Sequence, residues 1–372
     1  MGKRLESGSD RMATALEYKC PCCGGGLIFD SNTQNMQCPY CNAEIDPEAL
    51  KTLDQALDQP TEDTMEWQDT AGNQWDDAEQ AQLQRYVCNS CGGEIIGDAN
   101  TVATSCPFCD NPVVLLGRVS GLLRPDLVIP FQLDKEHAMQ AFAKHLSGKP
   151  LLPKVFKDEH RMESVQGIYV PFWIYDAMAD AQAQYKATKV RFWSDSRYNY
   201  TETRHYRIYR SGKLFFASVP ADGSTKMADD LMESIEPYDL NKAVDFHTAY
   251  LAGFLADKYD LTAQDCIPRV NGRIKNTMEQ VLRNTVMGYS SVIPTGSAVR
   301  LTDTAMKYAL YPVWVLTTRY RDKVYTFAMN GQTGRFVGNL PIDWKAFWLW
   351  LTGLTAGVGS LGIIISLIAG WL

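Results

Sequence analysis

The most one-sided stretch of the chain is its end. No charged residue occurs after Lys345, and residues 346–372 are almost continuously apolar. That exceeds the ~20 residues an α-helix needs to cross the hydrocarbon core of a bilayer. Trp344, Trp348 and Trp350 stand at one end and Trp371 at the other, where interfacial aromatic belts belong. The pattern predicts one C-terminal transmembrane helix. Gly353 and Gly357 form a GxxxG pair on it, a candidate helix–helix contact within the bilayer.

Residues 117–343 alternate between strand and helix periods and read as an α+β body. A short strand is expected at 127–131. Asp134 then caps a helix to Leu146, with Ala138, Ala141, Phe142 and His145 on one side. Residues 167–175 form an aromatic strand in which Pro171 argues for an edge or a bulge. Strands follow at 183–192, 200–210 and 213–219, the last two joined by a Ser211-Gly212 turn. Helices are expected over 226–235, 249–259 and 273–287. A closing strand pair covers 308–318 and 323–329, and Asn330-Gly331 signals a tight turn into 335–337. Tyr169-Val-Pro-Phe-Trp173 is similar to Tyr311-Pro-Val-Trp314, which suggests two similar halves. Aromatic–proline strands are also a common core device.

Upstream, residues 46–85 turn polar and acidic: up to Gln84 nine Asp and Glu, from Asp54 to Glu79, face Lys51 alone. They read as a solvated linker whose Trp67 and Trp75 dock on a neighbouring surface. Residues 1–17 read as a disordered N-terminus. Lys3 and Arg4 have no apolar run behind them, so no signal peptide is expected.

Cysteine chemistry dominates what remains. Cys20-x2-Cys23 is followed after fourteen residues by Cys38-x2-Cys41, and Cys88-x2-Cys91 after the same fourteen by Cys106-x2-Cys109. Tyr18/Tyr86, Gly24/Gly92, Gly25/Gly93, Asp30/Asp98 and Pro39/Pro107 pair at the same offset, so one unit occurs twice. Two facing knuckles complete a tetrahedral four-sulfur site with no open position, the mark of a structural zinc. We therefore expect tandem zinc ribbons at 18–45 and 86–116, with two structural Zn2+ per chain. Each is too small to fold without its metal. Gly24 and Gly92 let the chain turn beneath the first knuckle. Disulfides fit this spacing poorly in a chain without a secretory signal, while iron in a rubredoxin-like site remains the competing metal. Cys22 competes with Cys23 as a ligand, the repeat register favouring Cys23. Cys266 is expected as a small buried apolar residue.

The 372 residues carry a net charge of −7, a poor start for a nucleic-acid binder. No Walker A loop, HExxH or GxSxG is present, and the five histidines fall at no ligand spacing. Nothing argues for an enzyme. The one basic feature lies within 186–213, where Lys189, Arg191, Arg197, Arg204, Arg207 and Arg210 interleave with aromatics. This is a candidate patch for an anionic ligand, single-stranded nucleic acid or lipid head groups, or else an amphipathic hairpin with an aromatic core face and solvated arginines. The ribbons themselves lack positive charge: residues 86–114 contain no Lys or Arg. Tyr40 and Phe108 in the second knuckles are expected to be exposed, a surface suited to protein partners.

Together the paired ribbons, the Ile-Tyr-Val-Pro-Phe-Trp strand, the Ser234-Ile-Glu-Pro-Tyr-Asp-Leu240 and Ala249-Tyr-Leu-Ala-Gly-Phe-Leu255 stretches and the apolar tail resemble the bacterial TFIIB-type zinc-ribbon membrane proteins. Members often carry a primosomal helicase N′ label, although helicase ATPase motifs are absent here. The resemblance implies a membrane-side adaptor in an envelope-stress system, with phage-shock-protein-A-like and SPFH-domain proteins as partners. On this reading the chain is a single-pass protein of the cell membrane with its bulk in the cytoplasm. Its transmembrane helix can pair within the bilayer as a homo- or hetero-oligomer. A zinc-ribbon nucleic-acid-binding protein of replication or transcription is the alternative.

Overall fold

The computed structural model describes residues 18, 20–23, 25–51, 62–98, 105–118, 122–157, 164–321 and 323–369. The N-terminal stretch 1–17, Gly24 and Trp371 lie outside the described residues. The chain forms two compact units. One comprises Met1–Glu66, Met178–Phe215 and Arg273–Thr302; the other comprises Trp67–Ala177, Phe216–Gly272 and Asp303–Leu372.

The first unit opens with a small antiparallel sheet, β1 (Ile28–Asp30), β2 (Asn35–Gln37) and β3 (Glu44–Ile45). In the second unit a short helix α1 (Asp77–Ala81) leads into β4 (Leu83–Val87), β5 (Glu94–Asp98), β6 (Val114–Arg118) and β7 (Leu127–Val128). Helix α2 (Lys135–Leu146), capped by the Asp134 carboxylate on the His137 amide, precedes the long hairpin β8 (Gln166–Ser194) and β9 (Asn199–Asp222). There follow α3 (Asp229–Ile235), β10 (Val244–Asp245), β11 (Leu255–Asp257), α4 (Ala263–Asn284), β12 (Ser291–Tyr320), β13 (Lys323–Asn330), β14 (Phe336–Gly338) and α5 (Trp344–Ala369). The large mixed sheet runs β10-β7-β12-β8-β11-β5-β4-β6, with β13 and β14 continuing from β12 and with β9 beside β8.

Its centre is built twice. Short β11 runs parallel to β8 (Leu255 opposite Ile168, Ala256 opposite Tyr169), and short β7 runs parallel to β12 (Leu127 opposite Ala309, Leu310 opposite Val128). Beyond these contacts each long strand reaches a proline, which has no N–H to offer. There a glycine approaches. Gly223 N–H donates to the Pro171 carbonyl at 2.9 Å and Gly331 N–H to the Pro312 carbonyl at 2.8 Å. Each glycine carbonyl then accepts two amides, those of Asp260 and Leu261 in one case and of Gln132 and Leu133 in the other. Trp173 donates its indole N–H to the Leu261 carbonyl, and Trp314 donates to that of Leu133. A Cβ on Gly331 would come within 2.7 Å of the Phe131 ring and 2.9 Å of the Pro312 oxygen, so the backbone can approach this closely only without a side chain. Pro171 is thus tolerated in a central strand because it sits where one neighbour, β11, ends and another, β9, takes over.

Aromatic side chains fill the space around these latches. Phe172 stacks on Tyr311 at 4.3 Å, and Phe131 on Phe254 at 4.2 Å with Tyr169 and Trp314 edge-on. Phe142 and Leu146 of α2 pack with Phe156, Phe327 and Met329 on one part of the core. Residues 67–82 are fastened to this unit throughout. Trp67 meets Tyr175 edge-on and donates to Asn271, Trp75 packs against Phe246, and Glu79 forms a bidentate pair with Arg124. Asp126 accepts from the Gly72 and Tyr308 amides, tying the segment to β12. Asp69 likewise accepts from Gln264, so some of the acidic side chains are engaged, which composition alone does not show.

In the first unit the far ends of β8, β9 and β12 and the second half of α4 bury Tyr185, Ala187, Ile208, Ile274, Met278 and Leu282. Here several expectations are corrected. Strand β9 passes unbroken through Ser211 and Gly212; the reversal lies at Asp195, whose carboxylate accepts the Arg197 and Tyr198 amides. The 249–259 stretch is not a helix, because Gly253 at φ +80° ends a single 3-10 turn and frees Leu255 to pair as β11. Helix α4 starts ahead of Pro268, initiated by the Thr262 and Asp265 side chains.

Asn330 is the hub of one latch. Fully buried, it donates to the Ile235 and Pro237 carbonyls and accepts from the Gln332 and Thr333 amides. Replacement by Ala strands four backbone groups, each costing ~1–3 kcal/mol when buried without a partner. Asn330→Ala is therefore expected to lose at least ~3 kcal/mol in chemical denaturation of the detergent-solubilised chain. An exposed control such as Lys323→Ala should stay within ~0.5 kcal/mol of the wild type.

Candidate metal centres

Each quartet is assembled by the same local moves. In the first knuckle the Cys20 N–H donates to the Gly25 carbonyl, and the Cys88 N–H donates likewise to that of Gly93. In the second knuckle Cys38 donates to Ala43 and Cys106 to Asn111. The turns need left-handed backbone at Asn42 (φ 56°), Gly92 (φ 69°) and Asp110 (φ 60°), residue types that accept it. The second glycine of each pair has a separate duty. A Cβ on Gly25 would strike the Tyr40 ring at 2.5 Å, and one on Gly93 the Phe108 ring at 2.8 Å.

The result is two clusters, Cys20, Cys23, Cys38, Cys41 and Cys88, Cys91, Cys106, Cys109, whose sulfur atoms all lie within 4.8 Å of one another. Sulfur pairs stand at 3.6 Å (Cys20–Cys41), 3.4 Å (Cys23–Cys38), 3.5 Å (Cys88–Cys109) and 3.6 Å (Cys91–Cys106). A disulfide needs ~2.05 Å. A tetrahedron with metal–sulfur bonds of ~2.3 Å has edges of ~3.8 Å, so both sets fit a four-coordinate thiophilic ion. Cys22 is exposed and outside the cluster, as the repeat register requires. Cys266 is buried, its thiol facing the Asp222 carbonyl and pushed up to about 11 by burial.

Amide donors prepare the thiolates. Burial raises the Cys38 thiol, but the Cys41 and Tyr40 N–H groups outweigh it and bring the group to about 7. Burial likewise raises Cys109, and the Asn111 backbone and side-chain amides bring it to about 7. Burial raises Cys91 and Cys106 in the second quartet, so binding of a metal there displaces protons.

The two clusters differ in their surroundings. Tyr40 is 78% exposed beside the first, whereas Phe108 is 7% exposed beside the second. The expectation that both rings face solvent is corrected for Phe108. It packs with Tyr86, Cys88, Ile95 and Cys106 in the same core cluster as Phe172 and Tyr311. Strands β4, β5 and β6 belong to the large sheet, with β5 pairing to β11. Thr317 donates to the Pro107 carbonyl, Lys226 Nζ to that of Cys91 and Arg319 to that of Cys109. These two cations, distant in sequence, supply the positive charge that the 86–114 stretch lacks.

The basic arm offers no convergent site. Arg204 pairs with Glu202, Arg210 caps the Tyr209 carbonyl, and Lys189 lies over the Tyr206 and Tyr289 rings. Arg204 and Arg210 share one strand face, while Arg207 points to the other. At the tip Arg191 lies over Trp193, which stacks on Tyr200, and Arg197 follows the turn. Phe192, Trp193, Tyr198 and Tyr200 are exposed, so the aromatic residues of the tip are not core.

Helix α5 contains a 23-residue stretch, Trp344–Ser366, long and apolar enough to cross a membrane and with none of its residues buried. Gly353 and Gly357 lie one turn apart with open space beside them.

The molecule thus joins two four-cysteine clusters to a mixed-sheet body and an apolar C-terminal helix. It is 35% identical over 355 residues to a Bacillus subtilis (strain 168) protein named "Uncharacterized protein YdjG", covering 95% of this chain and 98% of that one, and it belongs to the same family. No family model matches the chain. No solved structure matches it either.

Burial predicts unequal roles for the two quartets. Cys106→Ser is expected to lower the main thermal transition by more than about 5 °C, because the site lies in the core. Cys38→Ser should leave that transition within about 2 °C while still losing one metal equivalent. Acidification should release metal from both quartets as the thiolates protonate, measurable with a chromogenic chelator.

Proposed function

We propose that the protein is a non-enzymatic adaptor held on the cytoplasmic face of the cell membrane by α5, its two four-cysteine units being zinc ribbons with structural Zn2+. The observation that carries this reading is the closure of both sites. Four sulfurs surround each position and leave none for a substrate, so the metal crosslinks the chain and performs no chemistry on a ligand. The exposed apolar length of α5 supports a single span, and Lys345 at its start with Trp344, Trp348 and Trp350 supports an interfacial anchor there. Protein partners are favoured by exposed Tyr18, Ile28, Phe29 and Tyr40 around the first unit. The resemblance to TFIIB-type zinc-ribbon membrane proteins suggests phage-shock-protein-A-like and SPFH-domain proteins as the first candidates.

A second reading rests on the arm tip, where Trp193, Tyr198 and Tyr200 with Arg191 and Arg197 offer stacking surfaces and charge suited to single-stranded nucleic acid. One set of experiments separates the two. Removal of 346–372 should move the protein from the membrane fraction to the soluble one after a salt wash. The solubilised full chain should show no micromolar binding to single- or double-stranded DNA or RNA at ~50 mM salt. It should retain a co-expressed phage-shock-protein-A-like or SPFH-domain partner through detergent purification. Salt-sensitive binding of nucleic acid at micromolar affinity, lost in Trp193→Ala/Tyr200→Ala, favours the second reading instead.

A further inference from the structure

The duplicated centre of the sheet carries its own internal reference. In one half the latch glycine Gly331 follows Asn330, whose side chain is fully satisfied, and β7 is followed by the buried Ile129. Matching the latch hydrogen bonds places Asp222 where the other half has Asn330, and Asp257 where it has Ile129. The fold therefore accepts a neutral amide and a hydrocarbon at these positions, and two carboxylates are not needed to build it.

Both carboxyls are deeply buried, Asp222 being 3% and Asp257 1% exposed. Asp222 Oδ1 accepts the Ser224 amide at 3.0 Å, but Oδ2 has no partner, and neither carboxyl oxygen of Asp257 has one. Fully buried Ser224 stands between them, its amide on Asp222 and its hydroxyl beside Asp257, which the Lys258 amide also approaches. The nearby cation is committed elsewhere. Arg269 donates to the Asp222 main-chain carbonyl at 2.9 Å and pairs with Asp229 at 2.7 Å. Asp260 is held by the Thr225 amide and hydroxyl. Asp257 also borders a small cavity lined by Trp75, Phe246, Tyr259 and Tyr308.

Burial pushes the Asp222 carboxyl up to about 8 and that of Asp257 well above its ordinary range, each carboxylate being further disfavoured by the acidic groups around it. Protons would remove the charge and add one donor to each carboxyl, yet leave acceptor oxygens short of partners in a buried site, which is costly. A hard divalent cation meets both demands. It neutralises two negative charges and takes oxygen lone pairs as ligands, unlike the soft ion suited to the thiolate clusters.

We propose that Asp222 and Asp257, oriented by Ser224, bind one hard divalent cation of the Mg2+, Mn2+ or Ca2+ class. The ion would join the end of β9 to β11, the strand that pairs with β5 of the second four-cysteine unit.

The test uses the full chain in detergent, zinc-loaded, with Mn2+ as the probe and its paramagnetic resonance signal as the readout. The expected result is one saturable Mn2+ per chain, displaced by excess Mg2+ or Ca2+, together with a higher thermal midpoint in the presence of the ion. Asp257→Asn should abolish both effects. Ser224→Ala should keep the fold and weaken the ion by about 10–100-fold, as loss of an orienting partner does. The proposal is overturned if the wild type shows no saturable Mn2+ at millimolar concentration, or if Asp257→Asn binds as the wild type does. An Asp257→Asn chain as stable as the wild type, with neither responding to cations, would also overturn it and assign the pair to shared protons. Should Asp257→Asn fail to fold, wild-type stoichiometry and the Ser224→Ala affinity still decide.

Discussion

Thiolates do not pack into a hydrophobic core unaided. Cys88 and Cys106 are buried among Tyr86, Ile95 and Phe108, in the cluster that also holds Phe172 and Tyr311. Four ionised sulfurs there would repel one another, and four neutral thiols would give the knuckles little reason to close. A bound metal resolves both difficulties, and Lys226 and Arg319 offset the remaining negative charge from the sheet side. Because β5 is the neighbour of β11, the second quartet is continuous with the centre of the body. The first quartet, with Tyr40 and Phe29 in solvent, carries no comparable share of a core.

The second constraint is backbone satisfaction beside a proline. Pro171 and Pro312 each leave a gap in a central ladder, and each gap is closed by a glycine that binds the proline carbonyl and presents its own carbonyl to the next segment. From that one arrangement follow the seating of Trp173 and Trp314, the starts of α2 and α4, and the exchange by which β7 pairs with β12 while β11 pairs with β8. The equivalence also exposes where the halves part. Asn330 and Ile129 make a neutral, satisfied interior; Asp222 and Asp257 make an acidic one with unpartnered oxygens.

Much of this was legible in the residues. The Cys-x2-Cys register named all eight sulfurs and separated Cys22 from Cys23, because ligand geometry leaves little freedom in spacing. Asp134 as a cap, α5 as an apolar helix, and Trp67 and Trp75 as anchors were equally plain, each resting on local chemistry. What was hidden depends on distant chain. Strand β9 runs through Ser211-Gly212 because β8 offers a continuous partner. Residues 249–259 give up a helix because Ile168 and Tyr169 offer a parallel ladder. Phe108 is buried, unlike the equivalent Tyr40, because its unit joins the large sheet and core through β5 and β11, a contact no local pattern encodes. Nothing local marks Asp222 and Asp257, which the fold brings inside.

The central claim is that both quartets are closed four-sulfur metal sites of structural type. X-ray absorption at the metal edge of the purified full chain addresses it most directly. The account predicts zinc, a single shell of four sulfur ligands at ~2.3 Å and no nitrogen or oxygen scatterer, at two ions per chain. A shell containing oxygen or nitrogen, an iron edge, or one ion per chain would contradict it.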